Sequence, residues 1–187
     1  VFVVDKSKER LAQLHKMFGD KIIPTESNKT DLKKLVSECD LLIGGVLIPG
    51  AEAPKLVTKE MIKNMKRGSV VVDVAIDQGG CVETSKPTTH ANPTYLVDDV
   101  VHYCVANMPG GVPRTSTMAL NKATLPLLIK IADQGYKKTL TENKNYLAGL
   151  NVYKGKVTFK GVAEALNLDY IPPEQAILEH IWLKNIY

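Results

Sequence analysis

The sequence lacks the simple signatures of a disulfide framework, a metal site and a membrane span. Its three cysteines, Cys39, Cys81 and Cys104, are far apart and never in Cys-x-x-Cys spacing. This usage fits a reducing compartment and small hydrophobic roles better than disulfides or zinc. The four histidines show no metal-ligand spacing, and no apolar run approaches the ~20 residues of a membrane-spanning helix. We therefore expect a cytoplasmic protein without a bound metal or a membrane anchor.

Charge of one sign is not concentrated anywhere along the chain. The net charge is +4, and the lysines are spread over the whole sequence. A nucleic-acid-binding surface would need clustered lysine and arginine, so we expect no nucleic-acid partner. The 187 residues are 44% apolar and 24% charged. These ordinary values suit one globular domain, or one and a half.

A polar lead-in is also missing. The chain opens on Val1-Phe2-Val3-Val4-Asp5, without an initiator methionine or a signal sequence. This pattern is typical of a buried strand, whereas domain termini usually lie in exposed segments. We therefore expect a polypeptide that is incomplete at its N-terminus.

Short apolar runs alternate with helical patterns through the first hundred residues. Strands are predicted at 1–4, 22–23, 41–43, 70–76 and 102–105, with helices that begin after Ser7, Thr30 and Thr58. Runs that are apolar on both faces are typical of parallel strands covered by helices on both sides. The pattern predicts a doubly wound α/β (Rossmann) domain over residues 1–113 that lacks its first strand.

From Thr115 onward, the sequence pattern is mainly that of helices. The apolar spacing predicts helices over 115–133, 138–150, 161–166 and 174–182, and a small hairpin at 152–157 with glycine at its turn. We expect residues 114–187 to belong to a second domain, with the boundary near Pro113–Thr115.

Asp5 ends the first predicted strand. In a dinucleotide-binding fold, an acidic residue at the end of the second strand accepts hydrogen bonds from the adenosine ribose and disfavours a 2′-phosphate. Alternatively, Asp5 is an ordinary turn residue, because aspartate is common in turns. The glycine fingerprint that should come about twenty residues earlier is absent, and position alone leaves both interpretations open.

Asp77 follows the strongest predicted strand, in Ala75-Ile76-Asp77-Gln78-Gly79-Gly80. Ligands of open parallel sheets bind outside the carboxyl ends of strands, where this loop must lie. The alternative is an Asx-turn leading into a Gly-Gly bend. Asp73, inside the strand, is interpreted as a structural residue satisfied by its neighbours.

Two further loops follow predicted strands and are rich in glycine and proline: Gly44–Gly50 and Asn107–Pro113. Glycine lets the backbone pass close to a cofactor. Asn107 could bind a carboxamide, although the second loop is also the expected hinge between domains. Together with Asp5 and Asp77, these loops predict a cofactor crevice at the strand ends.

Five segments carry a resemblance to the alanine dehydrogenase family. They are GGVLIPGAEAPKL from Gly44, VVDVAIDQGGC from Val71, SKPTTH from Ser85, YCVANMPGGVPRTST from Tyr103 and YKGKVT from Tyr153. The similarity covers nearly the whole chain, and only His180–Tyr187 looks unfamiliar.

The resemblance implies NAD-linked, reversible oxidative deamination of L-alanine to pyruvate and ammonia by a homohexamer. It implies that Asp77 is the catalytic aspartate, which positions water or ammonia, and that Asp5 is the ribose-binding acid. The other positions that it assigns to NAD contacts are Arg10, Ser27, Val46, Leu47, Val74, Ala75, Ile76, Asp77 itself, Lys86, Val105, Ala106, Asn107 and Met108.

Several features of the family are not found in this sequence. The catalytic histidine, the substrate-carboxylate clamp and the Gly-rich phosphate loop belong to the N-terminal half. A metal site of some relatives corresponds to Lys130 and Gln134 here, so we expect no metal. The alternatives are a dinucleotide-binding transhydrogenase subunit and a truncated, non-enzymatic nucleotide-binding chain. We expect these 187 residues to be inactive and poorly folded when alone.

Overall fold

The computed structural model describes residues 1–184, without the side chains of residues 29, 30 and 179–184. The chain divides into two compact units. The first joins Val1–Val46 to Ala53–Ala106, and the second joins Leu47–Glu52 to the chain from Asn107 onward. The predicted boundary between a cofactor domain and a substrate domain near Pro113 stays a prediction.

The first unit alternates strands with helices. Its elements are β1 (Phe2–Asp5), α1 (Lys8–Phe18), β2 (Ile23–Glu26), α2 (Lys29–Glu38), β3 (Leu41–Gly44), α3 (Lys59–Lys63), β4 (Val70–Asp73), β5 (Thr94–Val97) and β6 (Val100–Tyr103). Ser7 and Thr58 cap α1 and α3 as predicted. The predicted cap at Thr30 is wrong. Asn28 accepts the Asp31 N–H at 2.9 Å and starts α2 earlier, because asparagine caps at least as well as threonine.

The described strands of this unit form two sheets. β1 pairs in parallel with β2, and the second sheet has the order β3-β4-β6-β5, with β5 antiparallel to β6. The α/β class with parallel strands is therefore confirmed. β1 and β3 are not paired with each other. If β1 and β3 are numbered as strands 2 and 4 of the doubly wound order 3-2-1-4-5-6, strand 1 of that order would lie between them. Phe2, Leu41 and Ile43 beside this break are 53%, 54% and 62% exposed.

Two strand predictions need correction. The predicted strand 70–76 ends at Asp73, because the Asp73 side chain accepts the Ala75 N–H and turns Val74–Gln78 into a 3-10 helix. The predicted strand 102–105 is β6, and the sequence analysis missed its hairpin partner β5 altogether. Asp98 and Asp99 form the hairpin turn with φ of 51° and 62°. Aspartate tolerates this left-handed region better than most residues, although the usual hairpin signal contains glycine.

The core of the first unit lies between the second sheet and helices α2 and α3. Ile62, Val71, Val82 and Val100 are completely buried there, and Val36 joins them from α2. Burying each such side chain contributes ~1.5–3 kcal/mol to folding. The packing fixes the positions of β3, β4 and β6, at whose carboxyl ends the candidate site lies.

The second unit is mainly helical. Its elements are α4 (Pro113–Gln134), α5 (Tyr136–Glu142), α6 (Lys144–Ala148), β7 (Val152–Tyr153), β8 (Lys156–Val157), α7 (Lys160–Leu166) and α8 (Pro173–Lys184). The hairpin at 152–157 is confirmed, with Gly155 at a φ of 80°. The single helix predicted over 138–150 is wrong. The backbone is extended at Asn143, whose side chain starts α6 by accepting the Asn145 N–H at 2.9 Å.

A small core holds the second unit together through Leu147, Tyr153, Ala176 and Ile177. None of the described helices is long and apolar enough to cross a membrane. The side chains of the unfamiliar segment His180–Tyr187 lie outside the described residues.

Candidate functional site

The second sheet brings the carboxyl ends of three strands to one edge. β3, β4 and β6 run parallel, with Gly44 opposite Asp73 and Val72 opposite Tyr103. The segments that leave this edge are Gly45-Val46, the turn Val74–Gln78 and Cys104–Ala106. Most of the residues predicted to contact the cofactor within the first unit lie on these segments.

Asp77 lies on the 3-10 turn directly after β4, and its side chain is exposed. Gly79 ends the turn in the left-handed region with a φ of 86°, and Gly80 follows with a φ of 77°. The turn begins with a hydrogen bond in which the Ala75 N–H donates to the Asp73 side chain at 3.2 Å. The turn therefore presents Asp77 from a backbone that another aspartate holds in place.

Asp73 is the buried support of this turn. Its carboxylate is 0% exposed. Oδ1 accepts the N–H groups of Ala75 and Cys81, and Oδ2 accepts the Val82 N–H at 3.0 Å. A buried carboxylate is tolerated only when its oxygens are satisfied in this way. The structural interpretation of Asp73 is confirmed.

The surroundings of Asp73 leave no room for larger residues. A Cβ atom on Gly80 would lie 2.8 Å from Asp73 Oδ2, and one on Gly44 would collide with Cys81 Sγ. Burial, followed by the Asp73 charge, raises the pKa of Cys81 to about 11. Cys81 is therefore a protonated thiol near neutral pH, and it donates to Asp73 Oδ1 at 3.5 Å.

Lys86 lies against Tyr95 of β5. The Lys86 ammonium is 4.5 Å from the centre of the Tyr95 ring, and the Lys86 N–H donates to Tyr95 Oη at 2.8 Å. Tyr95 in turn donates to the Thr84 carbonyl at 2.9 Å. Burial raises the pKa of Tyr95, which keeps this phenol a donor. Tyr95 thus sets the position of a lysine that the resemblance assigns to NAD.

His102 supports the same cluster from the core. Its ring stacks on Tyr95 with centroids 5.1 Å apart, and it is fully buried. Nδ1 is 3.0 Å from the Val100 carbonyl, which can only accept, so Nδ1 carries the proton. Nε2 then accepts the Thr84 hydroxyl at 2.8 Å. Burial lowers the pKa of His102, in keeping with this neutral state.

Asp5 and Ser27 lie at the carboxyl ends of β1 and β2, and Arg10 lies in the first turn of α1. The Asp5 carbonyl accepts the Ser27 N–H at 2.9 Å, and Asp5 Oδ1 accepts the Ser7 N–H at 2.7 Å. Asp5 therefore does form the turn of the alternative interpretation. The carboxylate is half-buried and has further acceptor capacity, so this turn is compatible with a ribose contact. Arg10 is exposed and donates to Gln13 Oε1 at 3.1 Å.

The remaining predicted contacts differ in what they offer a ligand. Ala75, Ile76 and Val105 are buried, so they offer little surface to a ligand. Val46 is half-buried, whereas Val74 and Ala106 are exposed. The last three, Leu47, Asn107 and Met108, belong to the second unit.

Sequence analysis missed Lys55, Thr84, Tyr95 and His102. Lys55 lies within the segment Gly44–Leu56 that carries the family resemblance, but nothing in that segment, or in the sequence around the other three, assigns any of these residues a role. Each makes hydrogen bonds to a segment that is distant in sequence. Among the residues that the structure describes, no group of three or more His, Cys, Asp or Glu side chains is placed to hold a metal ion.

Comparison with known proteins decides the family. The family model described as "Alanine dehydrogenase/PNT, C-terminal domain" matches residues 1–160. The chain belongs to this family. All the segments of the first unit that build the site, from β1 to Ala106, lie within the matched range.

Two curated members of the alanine dehydrogenase/PNT family are similar over most of the chain. Alanine dehydrogenase from Halomonas elongata is 57% identical over 171 residues, which cover 91% of this chain and 46% of that protein. Alanine dehydrogenase 2 from Staphylococcus aureus is 53% identical over 178 residues, which cover 95% and 48%. The chain thus spans about half the length of the curated relatives it matches.

Solved structures agree with this family membership. An L-alanine dehydrogenase is 47% identical, with a TM-score of 0.76 over 89% of this chain and 46% of that one. A transhydrogenase from Sinorhizobium meliloti has a TM-score of 0.64 at 22% identity, over 86% and 42% of the two chains. The second likeness shows the shared fold alone.

Proposed function

We propose that this chain forms the cofactor-binding part of an NAD-dependent alanine dehydrogenase and supplies one of its catalytic residues. The reaction is the reversible conversion of L-alanine, NAD⁺ and water to pyruvate, ammonium, NADH and a proton. One observation carries the proposal: an exposed aspartate, Asp77, sits on a braced turn at the carboxyl edge of a parallel sheet. The chain around it is more than half identical to proteins named alanine dehydrogenase.

The residues at the strand ends fit a nicotinamide dinucleotide. Asp5 offers an acceptor-only carboxylate to ribose hydroxyls. A Cβ atom added to Gly45 would have no neighbouring atom within 4 Å, so the backbone after β3 is open to a ligand. Lys86 adds a positive charge close to β5. The bound cofactor would accept the hydride from the alanine Cα, and these residues would hold and orient it.

Asp77 would act on the reacting water or ammonia. A carboxylate at this position can orient the nucleophile by accepting a hydrogen bond and can exchange a proton with it. General acid–base action of this kind accelerates reactions by roughly 10²–10⁴-fold. The bracing of the turn by Asp73 supports this role, because proton transfer requires a fixed geometry.

The resemblance also supports three finer proposals. We infer that residues 114–187 contribute to a substrate domain and that the complete protein is a homohexamer. We infer further that it works in the cytoplasm. Size-exclusion chromatography with light scattering tests the hexamer directly.

The function is tested with the full-length gene product. We expect NAD reduction that depends on L-alanine, and NADH oxidation that depends on pyruvate together with ammonia. Hydride exchange between NADH and an NADP analogue in the absence of alanine would instead favour a transhydrogenase. Nucleotide binding with neither activity would favour a non-enzymatic protein.

A further inference from the structure

We propose that Lys55 is a positioning residue for Asp77, acting on the two carbonyl groups that end the Asp77 turn. The inference rests on the proposed catalytic role of Asp77. Lys55 Nζ donates to the Gly80 carbonyl at 2.8 Å and also to the Gly79 carbonyl. A single ammonium group therefore ties together the two left-handed glycines that follow the turn.

The N–H side of this loop is satisfied from within its own segment. The Gly79 N–H donates to the Ile76 carbonyl at 3.1 Å, and the Gly80 N–H donates to the Ala75 carbonyl at 2.9 Å. The next two N–H groups, those of Cys81 and Val82, donate to the Asp73 carboxylate. Asp73 and the turn thus leave none of these four donors unpaired.

The carbonyl side depends on a neighbouring segment, Ala53–Val57. The Ala53 N–H donates to the Gln78 carbonyl at 2.8 Å, and the Leu56 N–H donates to the Cys81 carbonyl at 2.9 Å. The carbonyls of Gly79 and Gly80 come between these two positions in the chain. Between Ala53 and Leu56, the neighbouring segment has Pro54, and proline has no N–H to donate.

Pro54 removes one backbone donor from this stretch, and the Lys55 side chain donates to both carbonyls instead. An ammonium group has three N–H bonds, so it can satisfy both carbonyls at once. A hydrogen bond from a charged donor is roughly twice as strong as a neutral one. Without Lys55, the two glycine carbonyls would lose these anchors to the neighbouring segment. Glycine backbones are the most permissive to rotation, so we expect the loop to loosen.

Loosening at Gly79 reaches Asp77 because the two residues share one turn. The Gly79 N–H bonds to Ile76, the residue directly before Asp77. A displacement of about 1 Å in a catalytic group can cost ~10²-fold in rate. Lys55 itself is exposed and is not part of the buried core. Its loss should therefore affect the geometry of the turn much more than the stability of the fold.

The test compares three variants of the full-length protein. Lys55→Met keeps an unbranched side chain of similar length but removes the N–H donors. Lys55→Arg keeps N–H donors and the positive charge at this position. Lys63→Met removes an exposed lysine from the end of α3 and serves as the matched control. For each variant, kcat, the KM for NAD, the NADH affinity and hydrogen exchange of the Gly79 and Gly80 amides are measured.

For Lys55→Met we expect kcat to fall by roughly 10- to 100-fold. The KM for NAD and the NADH affinity should change by no more than a few fold, and both glycine amides should exchange faster. Lys55→Arg should recover most of the activity, and Lys63→Met should behave like the wild type. An unchanged kcat in Lys55→Met would overturn the proposal. Equal unfolding of Lys55→Met and Lys55→Arg would also overturn it, since Lys55 would then be a structural residue.

Hydrogen exchange separates this proposal from the proposed function. If the full-length wild type has no alanine dehydrogenase activity, the proposed function fails and the kinetic part of the Lys55 proposal fails with it. If the wild type is active but the glycine amides exchange equally fast in wild type and Lys55→Met, only the positioning role of Lys55 is refuted.

Discussion

Replacing Asp73 with asparagine tests whether the candidate site is built on a buried carboxylate. The new side chain would keep nearly the same shape but would present one oxygen and one NH₂ group. The two carboxylate oxygens together accept three backbone N–H groups, from Ala75, Cys81 and Val82. In one orientation, the amide oxygen would face the N–H groups of Ala75 and Cys81. The amide NH₂ group would then replace the oxygen that accepts the Val82 N–H at 3.0 Å, so that two donors would face each other.

The expected loss of stability follows from these three hydrogen bonds. An unsatisfied buried donor costs about 1–3 kcal/mol, and the two surviving bonds lose their charge assistance. The opposite amide orientation is worse, because two N–H groups then lose their acceptor. We expect Asp73→Asn to lower the free energy of unfolding by ~2–4 kcal/mol. This is a large part of the ~5–15 kcal/mol that stabilises a typical domain.

The assay is urea denaturation of the full-length protein, with Asp77→Asn as the matched control. Asp77 carries the same substitution four residues away and is exposed, so its unfolding free energy should change by less than ~0.5 kcal/mol. If Asp73→Asn unfolds at the same urea concentration as the wild type, the carboxylate does not hold the turn. The account of a braced Asp77 would then be refuted.

Three further predictions follow from other parts of the molecule. The complete protein should use NAD at least ~10-fold more efficiently than NADP, because Asp5 repels a 2′-phosphate; comparable kcat/KM values for both cofactors would contradict this. Burial lowers the pKa of His102, so the unfolded chain binds the proton more tightly. The stability from neutral His102 is therefore fully present above the unfolded pKa of ~6.5 and is lost as the pH falls below it. Denaturation from about pH 7.5 to 5 should show this loss, with a slope that His102→Gln flattens. Residues 1–187 alone should unfold without a cooperative transition, because β1 and β3 leave unpaired edges beside exposed apolar side chains; a cooperative transition with NADH binding would show that the sheet closes without another strand.

The alternation of strands and helices was predictable because it depends on local patterns. β1, β3 and the caps at Ser7 and Thr58 appear where the apolar periodicity and capping residues indicate. β4 ended early because the Asp73 side chain competes for the backbone, and this competition is invisible in a run of valines. The β5–β6 hairpin was missed because its turn uses two aspartates with positive φ instead of glycine.

The site was only partly predictable for a different reason. Asp77 could be located because it follows a strand, and strand ends are where such sheets bind ligands. Lys55 contacts glycines 24 and 25 residues away in sequence, and His102 contacts a threonine 18 residues away. Pairings of this kind arise from the tertiary fold and leave no trace in spacing or composition. The same holds for Leu47–Glu52, which joins the second unit although its neighbours on both sides belong to the first.

The most direct test of the central claim is the activity of Asp77→Asn in the full-length protein. Alanine-dependent NAD reduction and NADH binding are measured side by side for this variant and the wild type. The account predicts an active wild type and a variant whose kcat is lower by roughly 10²–10⁴-fold, with NADH affinity changed by no more than a few fold. A variant that retains kcat within a few fold of the wild type would contradict the account and leave Asp77 as a turn residue only.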